Sequence, residues 1–241
     1  MSEEILLLTE PVEAEGLKTI LRHSAPSIVI THVVTRAELG SVAVAGLAGK
    51  RLIGFCTPVI VPKEILDALD GPAYNFHPGP PNFPGLYPAC FAIKSRADQF
   101  GVTAHEMWEN VDEGPIVGVD RKDIPVDIDR LHLETLSHAM IVGLFERLVP
   151  ALVGNDSLAH VDEHWSGRVT RQADFDAICE VPPGISLEDL ELRYRAVGQG
   201  PEHSLNVKIH GVRFNLDTGQ GDNKSDNKSD DKVYVGGREV T

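Results

Sequence analysis

Three polar side chains with complementary chemistry lie in two short stretches near the middle of the chain. Asn75 and His77 come at the end of an apolar run that begins at Ala73, and the Pro/Gly-rich sequence after them can continue neither a strand nor a helix. Asp112 opens the turn signal Asp-Glu-Gly-Pro, which follows a second strand-like run, Val102 to Trp108. We therefore expect an amide, an imidazole and a carboxylate to meet at neighbouring strand ends.

These three side chains suit the transfer of an acyl group to an amine without a covalent enzyme intermediate. Asn75 can donate an N–H to a carbonyl oxygen as it becomes an oxyanion, and His77 can take the proton that the amine must lose. Asp112 can orient the imidazole and, as a neighbouring anion, is expected to raise its pKa. An activated nucleophile is not indicated, since the sequence has no Gly-x-Ser-x-Gly elbow. Each motif alone is also ordinary turn chemistry, and their occurrence together in this order favours the catalytic interpretation.

Three motifs carry a family resemblance: Asn75-x-His77-Pro78, Gly101-Val-Thr-Ala-His105 and Asp112-x-Gly114-Pro115. Together they resemble the N-10-formyltetrahydrofolate-dependent formyltransferases, the family of methionyl-tRNA, glycinamide ribonucleotide and sugar-nucleotide N-formyltransferases. The resemblance implies that Asn75, His77 and Asp112 are the catalytic set. It also implies that N-10-formyltetrahydrofolate is the formyl donor.

A loop before these motifs is the candidate donor pocket. By the same resemblance, Val59, Ile60 and Val61 would contact the pterin together with Asp112, although the three apolar residues could equally be core residues between two elements. One departure from the family concerns the acceptor. The loop from Gly79 to Gly85 is a residue shorter than in the methionyl-tRNA enzymes and lacks their arginine, so the identity of the acceptor stays open.

Apolar runs alternate with helical patterns along the first part of the chain. This alternation predicts an α/β fold, a doubly wound, mostly parallel sheet, in which ligands bind outside the carboxyl ends of the strands. A long amphipathic helix, Leu131 to Leu152, would close a catalytic domain of residues 1–155. Residues 156–241 are expected to form a linker helix and a small β-rich C-terminal subdomain. Its features are a hairpin turn at His210-Gly211 and a last strand, residues 233–235, that pairs with this hairpin.

Composition limits the partners. The chain has 22 Lys and Arg against 36 Asp and Glu, a net charge of −14, which disfavours tRNA as the acceptor. The first strand-to-helix turn lacks a Gly-x-Gly-x-x-Gly, which disfavours NAD and FAD. No run of about 18 apolar residues and no basic signal region are present, so we expect a cytoplasmic protein with no membrane partner and reduced cysteines. A homodimer is compatible with the sequence.

Two polar stretches were weighed as ion sites. His160 and His164 have the spacing of a helical metal pair, but no third ligand follows and the next residues end a helix, so a polar linker and no metal are predicted. Residues 222–231 are rich in Asp, Asn, Lys and Ser and lack the spacing of a calcium loop. They are predicted to form a flexible loop whose role stays open.

The leading hypothesis is formyl transfer to a primary amine of a small, phosphorylated or nucleotide-linked acceptor. The alternatives are a formyltetrahydrofolate hydrolase, in which water replaces the amine, a methionyl-tRNA formyltransferase, and a non-catalytic folate-binding protein of the same fold. The hydrolase is less favoured because the chain begins directly with a strand rather than a regulatory module. The non-catalytic protein is less favoured because burying Asn, His and Asp without a task costs stability.

Overall fold

The first four strands alternate with helices, as the sequence predicts. The computed structural model describes residues 4–42, 46–69, 71–154, 157–198, 205–216, 233–235 and 238–240. The first four strands run parallel to one another. They and the helices between them are β1 (Glu4–Leu8), α1 (Pro11–Ser24), β2 (Val29–Val33), α2 (Arg36–Ser41), β3 (Lys50–Phe55), α3 (Lys63–Asp67) and β4 (Tyr74–His77).

The sheet is completed by two antiparallel strands. α4 (Pro88–Lys94) connects β4 to β5 (Gln99–Glu106), which runs antiparallel to it, and β6 (Ile116–Asp123) runs antiparallel to β5. The order across the six strands is β2-β1-β3-β4-β5-β6. The α/β fold with a mostly parallel sheet is therefore confirmed, with the reversal of direction at β4 and β5, where the candidate residues lie.

Helices cover both faces of the sheet, which explains the apolar runs in the strands. Ile5 and Leu7 of β1 pack on the side of α1 and of α5 (Arg130–Leu152), whereas Leu6 and Leu8 pack on the side of α2 and α3. By length and composition alone, α5 could cross a membrane, but many of its apolar side chains lie buried in the core. These buried residues include Leu133, Ile141, Leu144 and Phe145.

The segment after α5 shares a core with the sheet domain. α6 (Gln172–Cys179) and α7 (Leu187–Val197) bury Cys179, Leu192 and Val197 in one cluster with α4 and with Leu133 of α5. Ser186 caps α7 by accepting the backbone N–H of Asp189. The boundary between residues 155 and 156 stays a prediction, and the packing shows that the helices beyond it complete the core of the first domain.

The C-terminal part contains short hairpins. β7 (Asn206–Ile209) pairs with β8 (Val212–Asn215) through His210 and Gly211, both with positive φ, as this turn type requires. The prediction that residues 233–235 pair with this hairpin is wrong: β9 (Val233–Val235) pairs with β10 (Arg238–Val240). Two residues separate these strands, so closing this local hairpin costs less chain entropy than a distant pairing. The predicted flexible loop 222–231 lies outside the described residues.

Candidate active site

The alternation of side chains along β4 separates the core from the candidate site. Tyr74 and Phe76 are fully buried in the hydrophobic core, so Asn75 and His77 point to the opposite face of the strand. His77 is the last residue of β4, and only 5% of it is exposed to solvent. The sequence therefore placed both side chains at the correct strand end.

Asp112 lies beside His77, but it is placed there by the loop after β5 and not by the end of a neighbouring strand. Because β5 runs antiparallel, its carboxyl end lies beside Tyr74 rather than beside His77. The loop after β5 returns along the short strand β4, and Asp112 adopts a positive φ of 51°, which Asp tolerates better than most residues. Its Oδ2 lies 3.4 Å from His77 Nδ1 and accepts the backbone N–H of Gly85 at 2.7 Å.

A second histidine, His105, belongs to the same cluster and had no role in the sequence hypothesis. It lies directly opposite Asn75 in the antiparallel pairing of β4 and β5. Its Nε2 is 3.2 Å from Asn75 Nδ2 and 3.2 Å from Asp112 Oδ1, and its Nδ1 lies 2.8 Å from the carbonyl oxygen of Glu106. The motif that ends at His105 could have identified this residue. Its position opposite Asn75 could not be predicted, because the register of two strands cannot be read from the sequence alone.

Burial and charge act in opposite directions on the two titrating groups at the centre of the site. Burial alone would raise the pKa of Asp112, but the charges of His77 and His105, with hydrogen bonds from His105 and Gly85, lower it to about 2. Burial lowers the pKa of His77, although Asp112 and the Phe83 carbonyl act to raise it. Asp112 thus acts to raise the pKa of His77, as expected, but the loss of hydration outweighs the carboxylate, so the net shift of the pKa is downward.

The hydrogen bonds of His77 identify its basic nitrogen. Its Nε2 lies 3.0 Å from the carbonyl oxygen of Phe83, which can only accept, so Nε2 carries the proton and donates it. In the neutral ring Nδ1 is then the unprotonated nitrogen. A proton taken up by Nδ1 arrives next to Asp112, whose negative charge stabilises the resulting imidazolium.

Trp165, from the segment after α5, covers both histidines. The edge-to-face contacts have ring centroids 5.8 Å apart with His77 and 5.0 Å apart with His105, and Trp165 Nε1 donates to the carbonyl of Gly114 at 2.9 Å. This indole contributes to the burial that lowers the pKa of His77. The sequence hypothesis treated this segment as a linker and missed its contribution to the site.

The segment that follows Trp165 holds the loop after β4 in place. The backbone N–H of Ser166 donates to Pro81, and that of Thr170 donates to Pro84. The N–H of Leu86 returns a bond to the carbonyl of Thr170, next to a bridge between Gly85 and Thr170. We call residues 165–171 the strap. The loop that donates to Asp112 is thus positioned by the strap.

A cavity of about 550 Å³ opens above these residues, a volume typical of small-molecule sites. Val59, Ile60 and Val61, the predicted pterin contacts, all line it. Val61 is also buried in the core below the loop, whereas Ile60 is 56% exposed, and contact with the pterin stays a prediction. The other walls consist of residues 107–113, including the exposed Trp108, and of Gly85, Leu86 and residues 169–171.

One histidine of the pair that was weighed as a metal site is engaged by a carboxylate. His160 binds the carboxylate of Glu106, with 2.9 Å between Nε2 and Oε1. Across the part of the chain that the structure describes, no group of three His, Cys, Asp or Glu residues is placed to hold a metal ion.

The depressed pKa of Asp112 predicts how its removal changes stability. The group's folded pKa of about 2 lies below its ordinary value of 3.8, so ionised Asp112 stabilises the fold above pH 4 by about 2 kcal/mol. That contribution is lost as the pH falls from about 4 through about 2. Urea titrations should therefore show Asp112→Asn less stable than wild type at pH 6, with a gap that narrows below pH 4. A gap independent of pH would contradict this assignment.

Comparisons with known proteins agree with this geometry. A family model described as formyl transferase matches residues 52–140. Methionyl-tRNA formyltransferase of Ehrlichia canis (strain Jake) is 30% identical over 131 residues, which are 50% of this chain and 43% of that protein. The chain thus spans less than half the length of this curated relative.

Solved structures share the fold over most of the chain. A sugar N-formyltransferase from a Shewanella species superposes with a TM-score of 0.75 at 18% identity, over 90% of this chain and 97% of that one. The N-formyltransferase from Helicobacter canadensis, in complex with folinic acid and dTDP-3-aminofucose, gives a TM-score of 0.63 at 15% identity, over 88% and 86%. The segment that matches the formyl transferase family model contains Asn75, His77, His105 and Asp112, so the resemblance to this family includes all four side chains of the cluster.

Proposed function

We propose that this protein transfers a formyl group from N-10-formyltetrahydrofolate to a primary amine of a small, phosphorylated or nucleotide-linked acceptor. The observation that carries the proposal is the convergence of Asn75, His77 and Asp112 at the base of one cavity. Nothing in this set needs a covalent intermediate. An N–H that donates to the carbonyl oxygen, a proton acceptor and an anion that stabilises the protonated acceptor are sufficient for direct transfer.

The reaction forms one C–N bond and breaks another. The neutral amine attacks the formyl carbon, and the oxygen becomes an oxyanion that accepts an N–H from Asn75. His77 Nδ1 removes the extra proton from the attacking nitrogen, and Asp112 stabilises the imidazolium. The proton then passes to N10 as the bond from the formyl carbon to N10 breaks. Tetrahydrofolate and the N-formylated acceptor leave.

The donor would occupy the part of the cavity between residues 57–61 and 107–113. The first wall is apolar and suits a flat heterocycle, while the second supplies backbone groups and Asp112. The Helicobacter canadensis enzyme was solved with folinic acid, which supports a folate donor.

The acceptor would approach along the wall formed by Gly85, Leu86 and residues 169–171. Arg171 is the one cation among the described cavity residues, and it would meet a phosphate of the acceptor. The dTDP-3-aminofucose in the Helicobacter canadensis complex supports a nucleotide-linked amino sugar. The net charge of −14 weighs against tRNA, although a methionyl-tRNA enzyme is among the relatives.

The donor site makes a prediction for binding. Replacing the exposed Ile60 with Asp should weaken 5-formyltetrahydrofolate binding about tenfold, because a charge replaces apolar contact area, and should leave stability nearly unchanged. Val126→Asp is the matched control, since Val126 is 82% exposed and is not among the residues that line the cavity. Calorimetric titration of the wild type and of both variants with 5-formyltetrahydrofolate and with NAD measures the two binding affinities, and urea titration measures stability. Tight binding of NAD without binding of the folate would contradict the donor assignment.

The activity is tested by incubating the protein with N-10-formyltetrahydrofolate and a panel of amines. The panel contains dTDP-linked amino sugars, glycinamide ribonucleotide and methionyl-tRNA, with mass spectrometry of the acceptor and absorbance of the folate as readouts. Formylation of an amino-sugar nucleotide supports the proposal. Formate released without any acceptor would identify a hydrolase instead, and folate binding without turnover would identify a non-catalytic protein.

A further inference from the structure

The amide of Asn75 is held on one side only. Its Nδ2 lies 3.2 Å from His105 Nε2, whereas its Oδ1 is buried without a hydrogen-bond partner. Oδ1 faces Gly54, where a Cβ atom would lie only 2.8 Å from it. The contact with His105 is therefore what selects which end of the amide is presented to the cavity.

The protonation of His105 can change at one nitrogen only. Its Nδ1 lies 2.8 Å from the carbonyl oxygen of Glu106, and a carbonyl accepts but cannot donate, so Nδ1 carries a proton. The neutral ring is then the tautomer with a lone pair on Nε2. Adding a proton to Nε2 gives the imidazolium.

His105 Nε2 has two neighbours that require opposite protonation states of this nitrogen. As an acceptor, it takes an N–H from Asn75 Nδ2, and the second N–H of that amide remains for a substrate oxygen. As a donor, it gives its proton to Asp112 Oδ1, which is also 3.2 Å away. In that state an N–H would face the N–H groups of Asn75, and the amide must turn or withdraw.

We propose that His105 is a positioning residue whose neutral form orients Asn75 for oxyanion binding and whose protonated form releases it in favour of Asp112. The proposal rests on the proposed function for its catalytic consequence. The switch itself is a property of the resting protein. Protonation of His105 would thus remove the N–H that Asn75 donates to the carbonyl oxygen, and it would also draw Asp112 away from the proton acceptor, His77.

The charges around His105 support a switch of this kind. Asp112 faces Nε2 directly, and His77 contacts the other oxygen of the same carboxylate, so the two histidines compete for one anion. Trp165 covers the ring and contributes no charge. The carboxylate of Glu106, the next residue along β5, is paired with His160.

Nitrogen-15 spectra of the histidine and asparagine side chains test the switch without any substrate. At a pH at which the ring of His105 is neutral, its proton should be on Nδ1. The Asn75 amide resonances should move together with those of the His105 ring as the pH is lowered. A proton on Nε2 at that pH, or Asn75 resonances that do not follow His105, would overturn the proposal. This result does not depend on turnover, so it separates failure of the switch from failure of the proposed function.

Variants test the catalytic consequence. In His105→Gln a non-titrating amide oxygen reaches roughly the position of Nε2, so kcat should stay within about tenfold of wild type and its acidic limb should become less steep. His105→Phe removes the acceptor and should lower kcat about a hundredfold, the same loss that is expected for Asn75→Ala. The two losses should not add in the double variant, because both act through one amide.

His160→Gln is the matched control. It removes a histidine that contacts Glu106 but does not line the cavity, so its pH profile should match that of the wild type. Circular dichroism confirms that each variant is folded. A His105→Gln profile that superimposes on the wild-type profile, or additive losses in the double variant, would overturn the proposal.

Discussion

Replacing His77 with alanine should lower kcat about a thousandfold, the largest loss of any single substitution in the cavity. The attacking amine must lose a proton, and in the neutral ring His77 Nδ1 is an unprotonated nitrogen next to a stabilising anion. Donor affinity should stay nearly constant, because the proposed pterin contacts lie on the loop of residues 57–61. Single-turnover rates with formyltetrahydrofolate, together with its dissociation constant, separate the two effects.

The pH profiles of two further variants separate the roles of Asn75 and Asp112. Asn75→Ala should lower kcat about a hundredfold. The part of the pH dependence of kcat that His77 sets should not change, since the amide does not titrate. Asp112→Asn should lower kcat and move the acidic limb to lower pH. The acidic limb moves down because Asp112 acts to raise the pKa of His77. Without this anion, the lowering of the pKa by burial is no longer opposed by a charge at that position.

A distant histidine serves as the control for these measurements. His138 lies on α5, where it binds Glu13 and not the cavity, so His138→Ala should keep the wild-type rate and profile. An active His77→Ala enzyme with an unchanged pH profile would show that another group takes the proton.

The elements that carry the first two candidate residues could be predicted from local sequence. The apolar run through Phe76 ends in a Pro/Gly stretch, which places Asn75 and His77 at a strand end whatever the rest of the chain does. The alternation of strands and helices likewise predicts the α/β sheet. These features depend on residues a few positions apart, and such local preferences survive folding.

The contributions of His105 and Trp165 could not be predicted because they depend on long-range placement. His105 faces Asn75 through the register of two strands that are 30 residues apart in sequence. Trp165 arrives from beyond α5 and is held by the backbone carbonyl of Gly114. The net pKa shift of His77 was missed for the same reason, since its sign is decided by how completely distant segments exclude water.

Replacing Gly85 with alanine should detach the strap from the site and lower the free energy of unfolding by about 2–4 kcal/mol. Gly85 has a φ of 92°, a conformation that L side chains rarely adopt. A Cβ atom there would also collide with the backbone of Thr170, the strap residue that bridges to Gly85. Neither strain can relax without moving the backbone.

The same substitution should also lower kcat, because Gly85 positions Asp112. The backbone N–H of Gly85 donates to Asp112 Oδ2, so a displaced residue 85 leaves the carboxylate free to turn away from His77. We expect kcat to fall about tenfold, since a hydrogen bond to a charged group at the site is lost. Urea titration and steady-state kinetics measure the two consequences separately.

Gly184→Ala separates backbone strain from the collision with the strap. Gly184 has a φ of 76°, but an added Cβ atom there meets no atom within 4 Å, so this variant should lose only about 1 kcal/mol and keep wild-type kcat. If Gly85→Ala lost no more stability than Gly184→Ala, the contact between Gly85 and Thr170 would be dispensable. If it lost stability but kept full turnover, the strap would hold the fold together without positioning Asp112.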